Sequence, residues 1–118
     1  MRIFISQPMR NKTQKTIETR RNKIIKAIKE RYLNEHIDFV DSFADEGEKE
    51  FWKKNNIDLG NEPVWSLGKS IEKLATATLA YFDEGWENAR GCRIEHRICE
   101  DYGISTLHYD NLFVNEKE

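Results

Sequence analysis

Four short apolar segments alternate along this chain with longer segments whose apolar residues recur at helical spacing. The apolar segments are residues 2–6, 37–40, 78–82 and 104–109. Their length and apolar character are typical of buried β-strands. Strands that alternate with helices favour a mainly parallel sheet, because a parallel pair needs a crossover long enough to hold a helix. The pattern therefore predicts an α/β protein.

Four helices are predicted to complete this alternation. They are a long helix from a cap at Thr13 to about residue 34, a helical turn over 48–54, and helices over 63–75 and 89–102. Pro63 suits a first helical turn, Asn88 suits an N-cap, and Gly103 suits the position that ends a helix. We therefore expect a single Rossmann-like (flavodoxin-like) domain over residues 1–118, with a sheet of four to five strands flanked by helices. A polar tail is expected from about residue 110.

Composition narrows the class of protein. The 118 residues are 38% hydrophobic and 34% charged, with a formal net charge of -2. This composition is globular and argues against a broad surface that binds nucleic-acid polymers. No apolar run approaches the roughly 20 residues that span a bilayer, and the N-terminus lacks a signal-peptide pattern. The sequence therefore predicts a cytoplasmic protein that does not bind membranes.

The two cysteines share one predicted helix. Cys92 and Cys99 are seven positions apart, about 10 Å along a helix axis, which is too far for a disulfide. Two thiols without zinc-type spacing predict no metal site, and no cofactor is expected.

Three loops follow predicted strands and are rich in polar and aromatic residues. They are residues 7–12, 41–47 and 83–91. Ligands of open α/β sheets bind beyond the carboxyl ends of the strands. These loops are therefore the expected ligand-binding edge.

Glu95 is placed unusually on the predicted helix over 89–102. At about 100° per residue it lies inside the apolar arc, and that arc contains Gly91, Cys92, Ile94, Ile98, Cys99 and Tyr102. Glu95 could border the core, or it could form a buried ion pair with Arg90 or Arg10. Alternatively, it faces a cleft as a nucleophile or general base. The sequence leaves these alternatives open.

The loop before Glu95 favours a ligand site. Gly91 allows a close backbone approach, and free N–H groups at the helix start can bind oxygen atoms. Arg90 could add charge, and Trp86 could stack on a base or simply pack in the core. Asp83 or Glu87 could protonate a leaving base, or both could be solvated.

Three motifs carry a resemblance to a known family. They are ISQPM at 5–9, WSLGKSIE at 65–72 and GWENARGCRIEH at 85–96. Together they resemble a small family of phage and bacterial domains of unknown function, over nearly the whole chain. That family is distantly similar to nucleoside 2-deoxyribosyltransferases and deoxynucleotide N-hydrolases. The resemblance implies an N-glycosidic substrate and a homo-oligomer.

The resemblance also implies roles for particular residues. Residues 91–95 match the spacing of a Gly-Thr-x-x-Glu-like motif, which implies that Glu95 attacks the anomeric carbon of the sugar. Cys92 stands where threonine is frequent, and Thr78 stands where relatives often have aspartate. The tail 112–114 could close a neighbouring subunit's site. The residues expected to contact the ligand are Ser6, Gln7, Pro8, Met9, Arg10, Asp83, Gly85, Trp86, Asn88, Arg90, Gly91 and Cys92.

Three functions are compatible with these observations. The leading hypothesis is a nucleoside- or nucleotide-binding protein that cleaves or exchanges an N-glycosidic bond through Glu95. The alternative is a catalytically silent phage protein that sequesters a nucleotide immune signal. In this alternative, the phosphate groups would be bound by Arg10, Lys12, Arg90 and Arg93. The third is a structural or protein-binding domain that uses the long charged helix.

Overall fold

The fold is a four-stranded parallel sheet flanked by helices, as a computed structural model shows for residues 1–41, 46–56, 58 and 60–113. The strands are β1 (Arg2–Ser6), β2 (Asp38–Asp41), β3 (Leu79–Phe82) and β4 (Ser105–His108). They lie in the order β2-β1-β3-β4, and every neighbouring pair is parallel. The predicted single Rossmann-like α/β domain is confirmed.

Helices connect the strands in the alternating manner that parallel pairing requires. They are α1 (Gln14–Arg31), α2 (Glu46–Lys54), α3 (Glu62–Leu74), α4 (Arg90–Tyr102) and the short α5 (Tyr109–Leu112). A 3₁₀ turn, Trp86–Asn88, precedes α4. No helix within these described ranges has the length and hydropathy needed to cross a membrane.

The sheet is covered on both faces. On one face Ile24 and Ile28 of α1 pack with Ile3 and Ile5 of β1. On the other, Leu74 of α3 and Cys99 of α4 pack with the alternate strand residues, including Phe4. Successive strand side chains point to opposite faces, so β1 supplies both cores.

The strand order reverses between β1 and β3. From β1 the chain crosses to β2 on one side, and from β3 it crosses to β4 on the other. A crevice forms where the strand order reverses in this way. Ser6 and Phe82 are register partners at the carboxyl ends of these two strands, so Ser6 lies at the crevice.

Helix ends agree with the sequence in three of four cases, and one of the three is Pro63, which lies in the first turn of α3. Thr13 caps α1 by accepting a hydrogen bond from the Thr16 amide, and Gly103 ends α4 with φ 72°. The prediction for Asn88 is wrong, because Asn88 closes the 3₁₀ turn and the N-cap is Ala89, which makes no side-chain cap. Gly85 opens this turn at φ 87°, a conformation that glycine adopts without strain.

The C-terminal segment differs from the polar tail expected from about residue 110. Strand β4 ends at His108, and residues 109–112 form α5. Phe113 is only 8% exposed and packs into the α1 face of the chain's own core. This packing removes Phe113 from the expected role of closing a neighbour's site. Val114 and residues 42–45 of the predicted acidic loop lie outside the described residues.

Candidate functional site

Glu95 is a buried carboxylate held by two hydroxyl groups. Its side chain is on α4 and the residue is 3% exposed. The Ser6 hydroxyl donates to Oε1 at 2.7 Å, and the Ser70 hydroxyl donates to Oε2. The partners described here are therefore neutral serines, rather than Arg90 or Arg10 as in the ion-pair interpretation.

Three elements meet to make this arrangement. Ser6 ends β1, Ser70 lies on α3, and Glu95 is in the second turn of α4. Helices α3 and α4 cover the same face of the sheet. Both serines are as buried as Glu95, at 0% and 2% exposure. The position of the carboxylate is thus set by the core rather than by a loop.

Burial controls the charge of Glu95. Loss of solvation raises the pKa of this carboxyl above its ordinary value, and the hydrogen bonds from Ser70 and Ser6 oppose that increase. A hydroxyl that donates to a carboxylate favours the ionised form. The two serines therefore partly stabilise a charge that burial disfavours.

Glu95 lines a cavity of about 700 Å³ at the crevice between β1 and β3. We call it the Glu95 cavity. Its walls come from the β1–α1 loop, from α3, and from the segment that runs from Gly85 into the second turn of α4. The lining residues are Gln7, Pro8, Met9, Arg10, Asn11, Pro63, Ser66, Leu67, Ser70, Gly85, Asn88, Ala89, Arg90, Gly91, Cys92, Arg93 and Glu95. The volume lies within the range usual for small-molecule sites.

Positive charge surrounds the cavity. Arg10, Arg90 and Arg93 all line it and are all exposed. Arg93, which the helical projection directs away from the apolar face, also donates to the Glu87 carbonyl at 3.3 Å. Guanidinium groups bind phosphate and carboxylate oxygens in a planar, two-donor geometry. The rim is therefore suited to an anionic ligand.

Most of the expected ligand-contacting residues are brought together here. Of the residues expected to contact the ligand, those that line the Glu95 cavity are Gln7, Pro8, Met9, Arg10, Gly85, Asn88, Arg90, Gly91 and Cys92. Ser6 reaches the site through its hydrogen bond to Glu95. Asp83 and Trp86 do not line the Glu95 cavity.

Asp83 is engaged in a buried ion pair. Its carboxylate accepts from Arg20 Nε at 2.9 Å and Nη2 at 2.8 Å, and from the Tyr81 hydroxyl at 2.7 Å. It lines a second cavity of about 310 Å³, which we call the Asp83 cavity and which also contacts Gln7 and Lys12. Asp83 therefore connects β3 to α1, outside the lining of the Glu95 cavity.

Trp86 packs rather than presenting an open ring. It stacks on His96 with 4.0 Å between ring centroids and 19° between ring planes. It also contacts Phe82, with 5.7 Å between centroids. This arrangement matches the packing interpretation of Trp86.

The thiol beside Glu95 is poorly reactive. Cys92 is buried, and burial raises its pKa to about 11. Cys99 is also a buried free thiol with a pKa raised by burial to about 11. A thiol is nucleophilic only when ionised, so Cys92 contributes its shape rather than its reactivity.

Thr78 lies far from this chemistry within the fold. It precedes β3 at the amino end of the sheet, where its hydroxyl contacts the backbone N–H and carbonyl of Arg2, each at 3.1 Å. Glu95 is at the opposite, carboxyl end. Thr78 therefore lies outside the immediate surroundings of Glu95.

Ser70 and Arg20 are site residues that sequence reasoning missed. Ser70 has a detectable signal, because it lies between Leu67 and Leu74 at i−3 and i+4 and so shares their apolar face. Arg20 has no such signal, since α1 carries many basic residues.

Within the described residues there is no cluster of three or more His, Cys, Asp or Glu side chains that could hold a metal ion.

Comparisons with known proteins leave the fold and the site to be interpreted on their own geometry. No protein-family model, curated protein or solved structure matches this chain.

Proposed function

We propose that this protein binds a nucleoside or nucleotide and cleaves or exchanges its N-glycosidic bond, with Glu95 as nucleophile. One observation supports this most strongly. A carboxylate is buried at the switch point of the sheet, is held by two serine hydroxyls, and lines a cavity of about 700 Å³. Buried acids with shifted pKa values in clefts are characteristic of functional sites.

The chemistry suits a carboxylate in this position. As the C–N bond breaks, its electron pair leaves with the base, which takes up a proton from solvent, and positive charge develops on the sugar. A Glu95 oxygen attacks the anomeric carbon and forms an ester with the sugar. Water then displaces Glu95 in a hydrolase, or a second base does so in a transferase. Each Glu95 oxygen accepts one serine hydrogen bond and keeps a second lone-pair direction for the sugar.

The arginines at the rim support nucleotides over uncharged nucleosides. Arg10, Arg90 and Arg93 would meet phosphate oxygens while the sugar lies over Glu95. Because the guanidinium groups are exposed, they can adjust to the ligand without loss of core packing. Weaker binding of a nucleoside than of its monophosphate is the expected result.

A second function is favoured by the electrostatics of Glu95. Burial raises the pKa of its carboxyl, and a protonated carboxyl donates a hydrogen bond but does not attack carbon. In that state the same cavity would hold and sequester a nucleotide without turnover. The arginine rim serves this function equally well.

Product analysis separates the two functions. The protein is incubated with deoxynucleosides, nucleoside monophosphates and NAD, and released base is measured by chromatography. Catalysis predicts base release that is lost in Glu95→Ala and kept in Glu30→Ala, a matched change at an exposed glutamate of α1. Intact ligand recovered from a tight complex supports sequestration. Absence of both binding and base release with every probe contradicts the proposal as a whole.

A further inference from the structure

Gln7 is a buried amide between the two cavities of the molecule. It directly follows Ser6, whose hydroxyl donates to Glu95, and it is only 5% exposed. It lines both the Glu95 cavity and the Asp83 cavity. A ligand that occupies the Glu95 cavity can therefore extend past Gln7 into the Asp83 cavity.

One hydrogen bond fixes the orientation of the Gln7 amide. Its Nε2 donates to the backbone carbonyl of Ile17 in α1 at 3.3 Å. A carbonyl oxygen only accepts hydrogen bonds, and within a glutamine side chain only the nitrogen donates them. The reversed amide would place Oε1 against the Ile17 oxygen, so that two acceptors face each other. The contact with Ile17 therefore determines which end of the amide is the oxygen.

The Oε1 atom of Gln7 is an unused acceptor. It accepts no hydrogen bond from any described residue, and it is not among their fully enclosed polar atoms that lack a partner. It is therefore open to a cavity that Gln7 lines. Leaving a largely buried acceptor without a donor is unfavourable, so Oε1 is suited to a hydrogen-bond donor on a ligand.

The walls of the Asp83 cavity suit the edge of a nucleobase. Lys12 and Thr16 provide donors, Asp83 and Glu84 provide carboxylate oxygens, and Ile17 provides apolar surface. A nucleobase combines an apolar ring with donors and acceptors along its edge. With the sugar over Glu95 and a phosphate at the arginine rim, the base is the part of a nucleotide that remains to be placed.

We propose, as an extension of the proposed function, that the base lies in the Asp83 cavity and that Gln7 Oε1 selects a base with an exocyclic amino group. The amino group donates to Oε1. An oxo base places a carbonyl oxygen against Oε1 instead, and the amide does not turn to meet it because Ile17 holds its nitrogen. Attraction of one base is thus combined with repulsion of the other.

Matched nucleotides test this selection. Deoxycytidine and deoxyuridine monophosphates, like deoxyadenosine and deoxyinosine monophosphates, differ by an amino group in place of an oxo group. Calorimetric titration of the wild-type protein should show at least about 10-fold tighter binding of the amino member of each pair. The same titrations in Glu95→Gln, which lacks the proposed nucleophile, exclude turnover as the source of the difference.

A variant of Gln7 assigns the preference to its side chain. Gln7→Met keeps the length of the side chain and removes its polar atoms, so it should remove the preference for amino bases. Gln14→Met makes the same change at an exposed position of α1 and should keep it. In the wild-type protein, a hydrogen bond to Oε1 should move the carbon-13 resonance of the Gln7 side-chain carbonyl further downfield with deoxycytidine monophosphate than with deoxyuridine monophosphate. This last measurement requires no variant to fold.

Each contrary result has a distinct meaning. Equal affinities within both nucleotide pairs, equal carbonyl shifts, or a preference retained in folded Gln7→Met would overturn the selection by Gln7. Discrimination of cytidine from deoxycytidine monophosphate that is lost in Gln7→Met, without discrimination between bases, would place the sugar at Gln7 and also overturn it. Failure of all the nucleotides to bind would instead contradict the proposed function, and the selection by Gln7 with it.

Discussion

Ser70 on α3 donates a hydrogen bond to Oε2 of Glu95 on α4, and both residues are almost fully buried. The contact joins two neighbouring helices through a polar pair that, with Ser6, adjoins an apolar core cluster. Burying a carboxylate without a cationic partner is unfavourable unless hydrogen bonds compensate. A buried carboxylate that opposes stability in this way is typical of a functional site.

Removal of the Ser70 hydroxyl should destabilise the protein. In Ser70→Ala one carboxylate oxygen loses its described donor, which costs about 1–3 kcal/mol for a buried charged group. The loss should be larger at pH 8 than at pH 5, because the hydrogen bond lowers the pKa of Glu95 and stabilises its ionised form. Urea unfolding at both pH values measures it. Ser66→Ala, one turn earlier on α3, is the matched control, and equal costs for the two variants would rule out the contact.

Neutralising Glu95 should stabilise the protein while it removes the proposed nucleophile. The pKa of Glu95 is raised by burial, so the folded state binds more protons than the unfolded state and stability falls as the pH rises through the raised pKa. Glu95→Gln removes this loss. We expect about 1 kcal/mol of added stability at pH 8, or a Tm increase of about 4 °C.

The gain in Glu95→Gln should shrink as the pH falls towards roughly 4.3, the ordinary pKa of glutamate. Glu30→Gln on the exposed face of α1 should leave Tm unchanged at pH 8. A Tm decrease in Glu95→Gln at pH 8 would show that the ionised carboxylate contributes to stability.

Loss of the Asp83 carboxylate should destabilise the link between β3 and α1. Asp83 holds Arg20 through two hydrogen bonds and accepts a third from Tyr81. Removing one partner of a buried pair is costly, and the partial exposure of Arg20 moderates the effect. We expect Asp83→Asn to lose about 2 kcal/mol in urea unfolding. Asp101→Asn breaks the exposed pair with Arg97 and should change nothing measurable; a similar result for both variants would contradict a structural role for Asp83.

Both cysteines should resist modification in the folded protein. Burial raises the pKa of Cys92 and of Cys99 to about 11, so at pH 8 roughly one thiol in a thousand is ionised. Reaction with a thiol-specific disulfide reagent should be at least about 100-fold slower than in urea. Cys99→Ala isolates the rate of Cys92. Reaction of the folded protein at the unfolded rate would show that Cys92 is open to solvent.

Periodicity was sufficient to predict the architecture. The four strand segments and the helices between them follow from apolar spacing, and alternation of the two implies parallel pairing. The errors lie at element ends, where local geometry decides. Asn88 is a good cap by residue type, yet the left-handed Gly85 starts a 3₁₀ turn that contains it.

The unusual position of Glu95 can be recognised from the sequence because it depends only on neighbouring residues of one helix. A helical projection needs only the residues of one helix, and a carboxylate in the apolar arc is visible there. The glycine-containing loop before α4 is local in the same way. The sequence therefore predicts most of the cavity lining near β1 and α4.

The partners of these residues were decided by tertiary structure alone. Ser6 and Ser70 reach Glu95 across 89 and 25 positions of sequence, and Arg20 reaches Asp83 across 63. Residue type and spacing state what a side chain can bond to, whereas the packing of helices on the sheet determines which groups come within 3 Å. That is why Glu95 can be singled out from the sequence alone. Its two serine donors, and the ion pair of Asp83 with Arg20 of α1, are determined only by the tertiary structure.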